Sequence, residues 1–330
     1  MDTGTHFVMG FGIAGLSQLD PAVQGDPWVS LAVLIGAVAG SQAPDVDTFT
    51  RLWSNASYVR HHRGWSHSIP AWFLWTFTIC LPLKLIFPLI SLQVLTLWVG
   101  LAVVVHVLTD IFNTYGTQAL RPLHSRWIAL NSIHIFDPFL FLSHVLAILA
   151  WLLQLAKPEQ LFPGLYTIIA LYFFFRTWQH EWISRKLARL DPTHSKGDIY
   201  MVLPTIHLSI WNVVKKDGDG HYWLGEWNHG ILQWNEQMTC QLTPETERSR
   251  EHPDVQALLQ ISPLVCAKVH SSSDGIIIQW LDVRYQHRKQ YPLLAVVKYN
   301  QQMEVIFSYV GWISAEKLAK RLKRKGIASE

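Results

Sequence analysis

Six apolar stretches occupy the first 178 residues of this 330-residue chain, and they constrain its fold more than any other feature. The last four approach the ~20 residues that a helix needs to cross a bilayer, whereas the first two are shorter. The same region holds only 16 of the 51 charged residues, eight of each sign. A helical, membrane-embedded region with about four to six apolar helices is therefore predicted. The stretches are Phe7–Leu19, Trp28–Ala43, Ile69–Ile90, Leu92–Thr109, Phe139–Ala156 and Leu161–Phe175.

The basic residues predict an orientation in the membrane. If all six stretches cross, the segments between them alternate between two sides. The side that carries the N-terminus then holds ten basic residues near the membrane, and the other side holds only Lys84 and Lys157. Because lysine and arginine accumulate on the cytoplasmic side, this pattern predicts a multi-pass protein of the inner (cytoplasmic) membrane with both termini in the cytoplasm. The ten residues are Arg51, Arg60, Arg63, Arg121, Arg126, Arg176, Arg185, Lys186, Arg189 and Lys196.

The rest of the chain has the pattern of a water-soluble domain. Residues 179–330 hold the other 35 charges, and short β-rich runs separated by turns begin near residue 196. We predict a membrane domain over residues 1–180, a linker over 181–195 and a small β-rich cytoplasmic domain over 196–330. The predicted strands are Tyr200–Val214, His221–Trp227, Leu264–Val269, Ile276–Arg284, Pro292–Tyr299 and Glu304–Val310.

Two further features concern this second domain. Its last segment predicts a basic helix that begins after Ser314 as N-cap and ends before Gly326. Such a helix either lies on anionic lipid or is a solvated tail, and the chain has no motif for direct nucleic-acid binding. The three cysteines of the chain are far apart and form no CxxC pair, so a disulfide framework is not expected and a reducing compartment is indicated. The helix carries Lys317, Lys320, Arg321, Lys323, Arg324 and Lys325.

Polar residues are rare in the apolar region, and three of them share one helix face. His106, Asp110 and Asn113 follow one another at i, i+4 and i+7, at the end of the fourth apolar stretch. An imidazole and a carboxylate one turn apart can hold a metal ion together. The alternative is a His–Asp hydrogen bond that tethers the end of the helix.

The segment from Arg60 to His67 is richer still, with three histidines and two arginines in eight residues. Neutral imidazoles bind zinc, manganese or iron, and guanidinium groups bind phosphate in a bidentate manner. The alternative is a basic collar beside the membrane, which accounts for Arg60 and Arg63 but not for His62 and His67.

Other acidic residues and one histidine fall at the same predicted membrane face. Asp45 and Asp47 follow the second stretch, and paired carboxylates can bind or bridge metal ions, although a helix N-cap is the simpler interpretation of such a pair alone. Asp137 precedes a proline in the manner of a helix N-cap, and His6 begins the first stretch. The opposite connections contain no histidine. This one-sided distribution predicts a metal site lined by histidine and aspartate at the cytoplasmic membrane surface.

These segments resemble the YdjM/YfhP family of bacterial inner-membrane proteins, described as metal-dependent hydrolases. The resemblance covers about residues 1–180, and the opening residues and added C-terminal half are similar to the YfhP branch. More distantly, the same set is similar to that of zinc-dependent phospholipases C. That likeness implies His6, Asp45, His67, His106 and Asp110 as ligands. The chain has no HxxxE and no N-terminal Trp, so one or two metal ions are expected instead of three. The matching segments are Thr5-His6, Gly40–Asp47, His61–Ser68, His106–Gly116 and Asp137-Pro138.

The leading hypothesis from the sequence is a membrane-bound, metal-dependent hydrolase, specifically a phosphoesterase. A divalent ion, zinc first and otherwise manganese or iron, would activate water for attack on a phospholipid or a lipid-linked phosphate. Asp47, Arg60 and Arg63, with Arg121 as a further candidate, would act on the substrate, and Asn113 and Asp137 would support the ligands. The competing hypothesis is a non-enzymatic, membrane-anchored metal sensor or regulator, whose protein partner is unknown. The predicted ligands are His6, Asp45, Asp47, His62, His67, His106 and Asp110.

Overall fold

A computed structural model describes residues 1–272, 275–285 and 290–324 of the chain. Its N-terminal part is helical, and several helices begin where the sequence supplies an aspartate as N-cap. Asp2, Asp20, Asp26 and Asp137 each accept a hydrogen bond from a backbone N–H of the turn that follows. The helices are α1 (Thr3–Leu16), α2 (Pro21–Gln24), α3 (Pro27–Gly40), α4 (Asn55–His61), α5 (Ile69–Ile86), α6 (Leu92–Ile111), α7 (Pro138–Leu152) and α8 (Pro158–Leu190).

Three of these helices, α5, α6 and α8, are long and apolar enough to cross a membrane. A fourth candidate span is α3 together with the 3-10 segment Ala43–Leu52, which continues it after a bend of 46°. The helix α7 is apolar but shorter, with 15 residues. Candidate membrane helices are thus confirmed, and the crossing of all six apolar stretches stays a prediction.

The helices α1, α3 and α6 cross closely at positions where one helix has a glycine. A Cβ at Gly10 of α1 would lie 2.5 Å from the Ser41 hydroxyl and 2.8 Å from the backbone of Val38. A Cβ at Gly40 of α3 would lie 2.9 Å from the carbonyl oxygen of Val99 in α6. Only glycine allows backbones to approach this closely. The crossings bring the ends of the three helices that carry polar residues to the same place.

The C-terminal part contains two four-stranded sheets, with strand orders β1-β2-β3-β4 and β5-β6-β7-β8. The second sheet is a meander in which each strand pairs antiparallel with the next. Three further helices are α9 (Pro244–Arg250), α10 (Pro253–Ile261) and α11 (Ala315–Arg324). The strands are β1 (Ile199–Pro204), β2 (Ile210–Lys216), β3 (Tyr222–Asn228), β4 (Ile231–Met238), β5 (Val265–Ser272), β6 (Gly275–Asp282), β7 (Leu293–Asn300) and β8 (Val305–Trp312).

The predicted fold class, apolar helices followed by a β-rich region, is confirmed, but several details differ. The segment Tyr200–Val214 is two strands instead of one, because residues 205–209 bend between β1 and β2. The strand β4 and the helices α9 and α10 had no counterpart in the prediction. Both helices begin at a proline after a capping side chain. The helix α11 follows Ser314, whose hydroxyl accepts a hydrogen bond from the Lys317 N–H, and Lys325 and Gly326 lie outside the described residues.

The spacing of the cysteines predicts no disulfide framework, but the structure contains one disulfide pair. Cys240 and Cys266, 26 residues apart, form a disulfide, while Cys80 is a buried free thiol. The backbone N–H of Gln241 donates to the carbonyl of Ala267 at 3.0 Å, so the segment after β4 lies alongside β5. This pairing, which the spacing of the cysteines does not show, brings the two sulfur atoms together.

The chain divides into two compact units, neither of which is continuous in sequence. The first unit comprises Met1–Asp47, Arg63–Lys186 and Val202–Trp211, and the second comprises Thr48–His62, Leu187–Met201 and Asn212–Glu330. The domain boundaries near residues 180 and 196 stay predictions.

Candidate metal centre

Four side chains of the first unit, three of them buried and one partly buried, converge on one point. His106 and Asp110 lie one turn apart in the last two turns of α6, as their spacing predicts. Asp45 belongs to the 3-10 segment after α3, and His67 belongs to a 3-10 turn directly before α5. One nitrogen or oxygen atom from each of the four side chains lies within 4.8 Å of the others. This arrangement can hold a metal ion.

The distances inside the cluster join each imidazole to both carboxylates. His67 Nε2 lies 3.2 Å from Asp110 Oδ2 and 3.7 Å from Asp45 Oδ1. His106 Nε2 lies 3.6 Å from Asp45 Oδ1 and 3.7 Å from Asp110 Oδ2. His67 and Asp110 are fully buried, and the Asp45 side chain is 16% exposed. The cluster is therefore enclosed by protein, with Asp45 on its more open side.

The donor and acceptor roles in the neutral form of the cluster are those of a group that could hold a cation. His106 Nδ1 lies 2.6 Å from the carbonyl oxygen of Ser41, and since a carbonyl only accepts, Nδ1 carries a proton. In the neutral ring Nε2 then presents a lone pair to the carboxylates. Within the described part of the chain, the buried atoms His106 Nε2 and Asp45 Oδ1 have no hydrogen-bond partner. Acceptors that face one another without a donor are costly unless a positive charge lies between them.

The chemistry of this donor set fits a divalent metal. Imidazole nitrogens and carboxylate oxygens are the ligands of zinc, and the same set also binds manganese and iron. The group that fits a metal ion consists of Asp45, His67, His106 and Asp110. His6 is not a member of this group and lies beside it. The His6 ring stacks on the His106 ring with centroids 3.7 Å apart, and its Nε2 is 3.3 Å from Asp110 Oδ1.

Asp110 also contacts positive charges through its other oxygen. The guanidinium Nη2 of Arg63 lies 3.2 Å from Asp110 Oδ1, and the amino group of Met1 forms an ion pair with the same atom. Arg63 also donates to Asn113 Oδ1 at 3.1 Å and to the Met1 carbonyl at 3.0 Å. Arg63 is only 5% exposed. The Arg63 side chain is therefore buried against Asp110. From the sequence, this side chain is expected at a substrate phosphate instead.

The backbone of Arg63 is fixed in an unusual conformation by contacts on both sides. Its φ of 62° is in the left-handed region, which residues other than glycine seldom adopt. Its N–H donates to Asp47 Oδ2 at 2.9 Å, and its carbonyl accepts from the Gln118 N–H at 3.0 Å. Asp47 thus supports the loop that carries Arg63 and His67.

The two residues expected to support the ligands have different contacts. Asn113 donates to Asp110 Oδ1 at 3.1 Å, and its own oxygen accepts from Arg63 and from the N–H groups of Tyr115 and Gly116. Asp137 caps α7 and accepts the Tyr172 hydroxyl at 2.7 Å. Asn113 contacts the cluster directly, whereas the contacts of Asp137 are those of a helix cap.

The remaining predicted residues, Arg60 and His62, belong to the second unit. Arg60 donates to the carbonyl of Pro253 at 3.3 Å. His62 is the C-cap of α4, and its ring stacks on that of Tyr58 with centroids 4.7 Å apart. These contacts connect α4 with its own unit.

Three residues of the centre were not singled out in the sequence. The Ser66 hydroxyl lies 2.9 Å from His67 Nδ1, and the indoles of Trp72 and Trp75 donate to the carbonyls of His67 and Ser66, each at 2.9 Å. The spacing of Trp72 and Trp75 from His67, about one and two turns into α5, is a signal that could have identified them. Ser66 could have been identified only from its position beside a candidate ligand.

The fold and the centre define a class: a membrane protein with transmembrane helices, a buried His/Asp cluster and a C-terminal β-rich region. Residues 1–183 match the family described as YdjM inner membrane protein, and residues 244–322 match the YfhP C-terminal alpha/beta plait domain. The chain is 38% identical over 327 residues to the uncharacterized protein YfhP of Bacillus subtilis (strain 168), covering 98% of this chain and 99% of that protein. The chain therefore belongs to the YdjM family of inner membrane proteins, which confirms the resemblance noted in its sequence. No solved structure matches it.

Proposed function

We propose that this protein is a metal-dependent hydrolase of the inner membrane that cleaves phosphate esters. The observation that supports it is the convergence of buried acceptor atoms, above all His106 Nε2 and Asp45 Oδ1, which have no hydrogen-bond partner among the described residues and could share a metal ion. His67, His106, Asp45 and Asp110 hold the metal in this proposal, zinc before manganese or iron. A bound divalent ion supplies the charge that lowers the pKa of water and polarises a phosphoryl oxygen.

The protein residues around the centre divide the remaining tasks. Asp45 is the most exposed of the four, and in this proposal water and substrate approach the metal from its side. Arg63 and the Met1 amino group hold Asp110 in place from behind. Arg121 is the better candidate for binding the substrate phosphate. Its carbonyl accepts the N–H of Ile69 at 3.1 Å, two residues after His67, and its guanidinium lies over the Trp65 ring, which is 59% exposed.

We further propose that the centre faces the cytoplasm and that the substrate is a membrane lipid. The excess of basic residues in the segments that flank the centre supports this orientation. A phospholipid or a lipid-linked phosphate would reach a site at the membrane surface without leaving the bilayer. Both termini lie in the cytoplasm in this arrangement.

The burial of the centre favours a second candidate, a metal-sensing or regulatory protein. His67 and Asp110 are fully buried and His106 is 1% exposed, as in structural sites that are closed to substrate. An enzyme needs an open coordination position for water, whereas a sensor does not. Both candidate functions therefore require a bound metal ion, and only the enzyme hydrolyses a substrate.

The experiment compares metal content with hydrolysis in the purified full-length protein. Wild type, His67→Ala and Asp110→Ala are analysed for zinc, manganese and iron, with the exposed His124→Ala as the matched control. Hydrolysis of bis(p-nitrophenyl) phosphate and of phospholipids in nanodiscs is measured on the same samples. The proposal expects stoichiometric metal and metal-dependent hydrolysis in wild type and His124→Ala, and neither in the other two.

The possible results distinguish the candidates. Metal without hydrolysis of any phosphate ester would favour the sensor. Wild type that binds no metal, even after zinc, manganese or iron is added back, would contradict both.

A further inference from the structure

A chain of hydrogen bonds leads from Asp47 through Ser66 to His67. The Ser66 hydroxyl lies 2.5 Å from Asp47 Oδ2 and 2.9 Å from His67 Nδ1. The other ring nitrogen, His67 Nε2, faces Asp110 Oδ2 at 3.2 Å inside the cluster. The three side chains therefore connect a partly buried carboxylate to a fully buried ligand of the candidate centre.

The direction of these hydrogen bonds follows from what each group can donate. An ionised carboxylate only accepts, so the single hydroxyl proton of Ser66 is donated to Asp47. The Ser66 oxygen then accepts, and the proton that it accepts is the one on His67 Nδ1. In the neutral ring, Nε2 is consequently unprotonated and presents its lone pair to the cluster.

We propose that Asp47 and Ser66 act as positioning residues that fix the tautomer and ring orientation in which His67 binds the metal. This inference rests on the proposed metal centre, and it changes the role of Asp47 from ligand to support. Outer groups that hydrogen-bond to a ligating imidazole keep the correct nitrogen available and hold the ring in line with the ion. Asp47 and Ser66 do this through a hydroxyl instead of a direct carboxylate contact.

The backbone of the turn is held independently of the Ser66 hydroxyl. Trp72 Nε1 donates to the His67 carbonyl and Trp75 Nε1 donates to the Ser66 carbonyl, both at 2.9 Å. Both indoles belong to α5, which begins at Ile69. Removal of the hydroxyl therefore leaves these two backbone contacts in place and removes only the contacts of Ser66 with Asp47 and with the His67 imidazole. The contribution of Ser66 can thus be measured in a folded protein.

Asp47 is expected to act on the His67 ring through Ser66, in addition to accepting the backbone N–H of Arg63. In Asp47→Ala the hydroxyl proton of Ser66 loses its acceptor and turns toward His67 Nδ1, which favours the tautomer protonated at Nε2. That tautomer cannot bind the ion through Nε2. Asp47→Ala and Ser66→Ala should therefore weaken the same step, and the double variant should be no worse than the poorer single variant.

The experiment measures zinc affinity and the tautomer of His67 in the full-length protein. Zinc binding is measured by competition with a chromophoric chelator, and the ring nitrogens are observed by ¹⁵N NMR of the zinc-free, histidine-labelled protein. We expect Ser66→Ala to bind zinc about 10–100-fold more weakly, the loss typical of such supporting groups. Ser66→Thr, which keeps the hydroxyl, should restore wild-type affinity. Ser68→Ala is the matched control, because the Ser68 hydroxyl donates to the Trp65 carbonyl at 2.7 Å.

The outcomes separate this inference from the proposed function. Wild type that binds no zinc overturns the metal centre itself. Wild type that binds zinc, together with a Ser66→Ala protein of unchanged affinity and unchanged His67 nitrogen shifts, overturns the role of Ser66 and Asp47 alone. Equal losses in Ser66→Ala and Ser68→Ala would also overturn it, since they would indicate a general effect on the turn.

Discussion

At the scale of single residues, the two oxygens of Asp110 face different surroundings. Oδ1 contacts the Arg63 guanidinium at 3.2 Å, and Oδ2 faces His67 at 3.2 Å. The charge of this fully buried carboxylate is therefore offset by protein cations on one side and is available to a metal on the other. Asp45, which is partly exposed, has no comparable ion pair with a guanidinium among the described residues.

This difference predicts distinct effects of two isosteric substitutions. Asp110→Asn should lose metal and also lower the free energy of unfolding by about 3–5 kcal/mol, because it leaves Arg63 buried without its carboxylate. Asp45→Asn should lose metal with a much smaller effect on stability. Metal analysis and thermal unfolding of the two metal-free proteins check this. Equal thermal stabilities of the two variants would contradict the assigned role of Arg63.

Arg63 also illustrates what residue-level reasoning from the sequence misses. An arginine beside a membrane stretch resembles a surface charge, and its inward direction depends on partners from three other segments, Met1, Asn113 and Gln118. His106 and Asp110, by contrast, were predictable, because helix geometry alone places i and i+4 on one face. The contribution of Asp45 and His67 required the tertiary packing of α3 and α5 against α6.

At the scale of helices, the crossing of α1 and α3 at Gly10 decides whether the centre can assemble. A Cβ at Gly10 would lie 2.8 Å from the Val38 backbone, so the two helices would have to separate. We expect Gly10→Ala to lower the free energy of unfolding by about 1–3 kcal/mol. It should also weaken metal binding, because His6 of α1 stacks on His106. Thermal unfolding and chelator competition measure the two effects.

A matched control for this substitution exists in α8. A Cβ at Gly164 would meet nothing within 4 Å among the described residues. Gly164→Ala should therefore leave metal binding unchanged and raise helix stability by up to about 1 kcal/mol. If both alanine variants behaved alike, close packing at Gly10 would not explain the assembly of the centre.

A buried ion pair links the residue that follows α8 to the first sheet. Lys215 Nζ of β2 lies 2.8 Å from Asp191 Oδ2, and the Tyr200 hydroxyl donates to the same oxygen at 2.7 Å. Burial alone would raise the pKa of Asp191, but the hydrogen bonds from Lys215, Tyr200 and Thr193 outweigh it and hold this pKa well below its ordinary value. The carboxylate therefore stabilises the fold in its ionised form.

This shift predicts an acid-sensitive second unit. A lowered pKa in the folded state contributes stability above the unfolded value of about 3.9, and the contribution is lost as the pH falls below that value. The unfolding temperature followed by tryptophan fluorescence should therefore drop as the pH falls below about 4, near the unfolded pKa. Asp191→Asn should be less stable at neutral pH and lose part of this dependence, whereas the exposed Asp219→Asn should retain it.

The sequence predicted most strands but not the helices α9 and α10. Alternating apolar residues between turn signals identify strands such as β7 and β8 directly. The helices α9 and α10 are short, with seven and nine residues, and depend on packing for their stability. The spacing of apolar residues in these two segments does not distinguish a short helix from a loop.

At the scale of the whole molecule, the basic residues predict which segments share a side of the membrane. If the six apolar stretches all cross, the connections at 20–27, at residue 91 and at 157–160 lie outside, and the segments that carry Arg51, Arg126 and Arg185 lie in the cytoplasm. Single cysteines introduced into each connection of a cysteine-free variant, labelled in whole cells by a membrane-impermeant maleimide, check this. Labelling of positions near Lys157 and near Arg126 from the same side would contradict the arrangement.

The disulfide of the second unit gives an independent measure of the same orientation. Cys240 and Cys266 have Cα atoms 5.1 Å apart and can bond wherever the compartment allows it. If the C-terminal part lies in the cytoplasm, thioredoxin and glutathione keep this pair reduced in the cell, and acid trapping followed by alkylation should find two free thiols. The pair should then oxidise in the purified protein. A disulfide already present in trapped cells would place the C-terminal part outside, and the number of membrane crossings would then be odd for a cytoplasmic N-terminus.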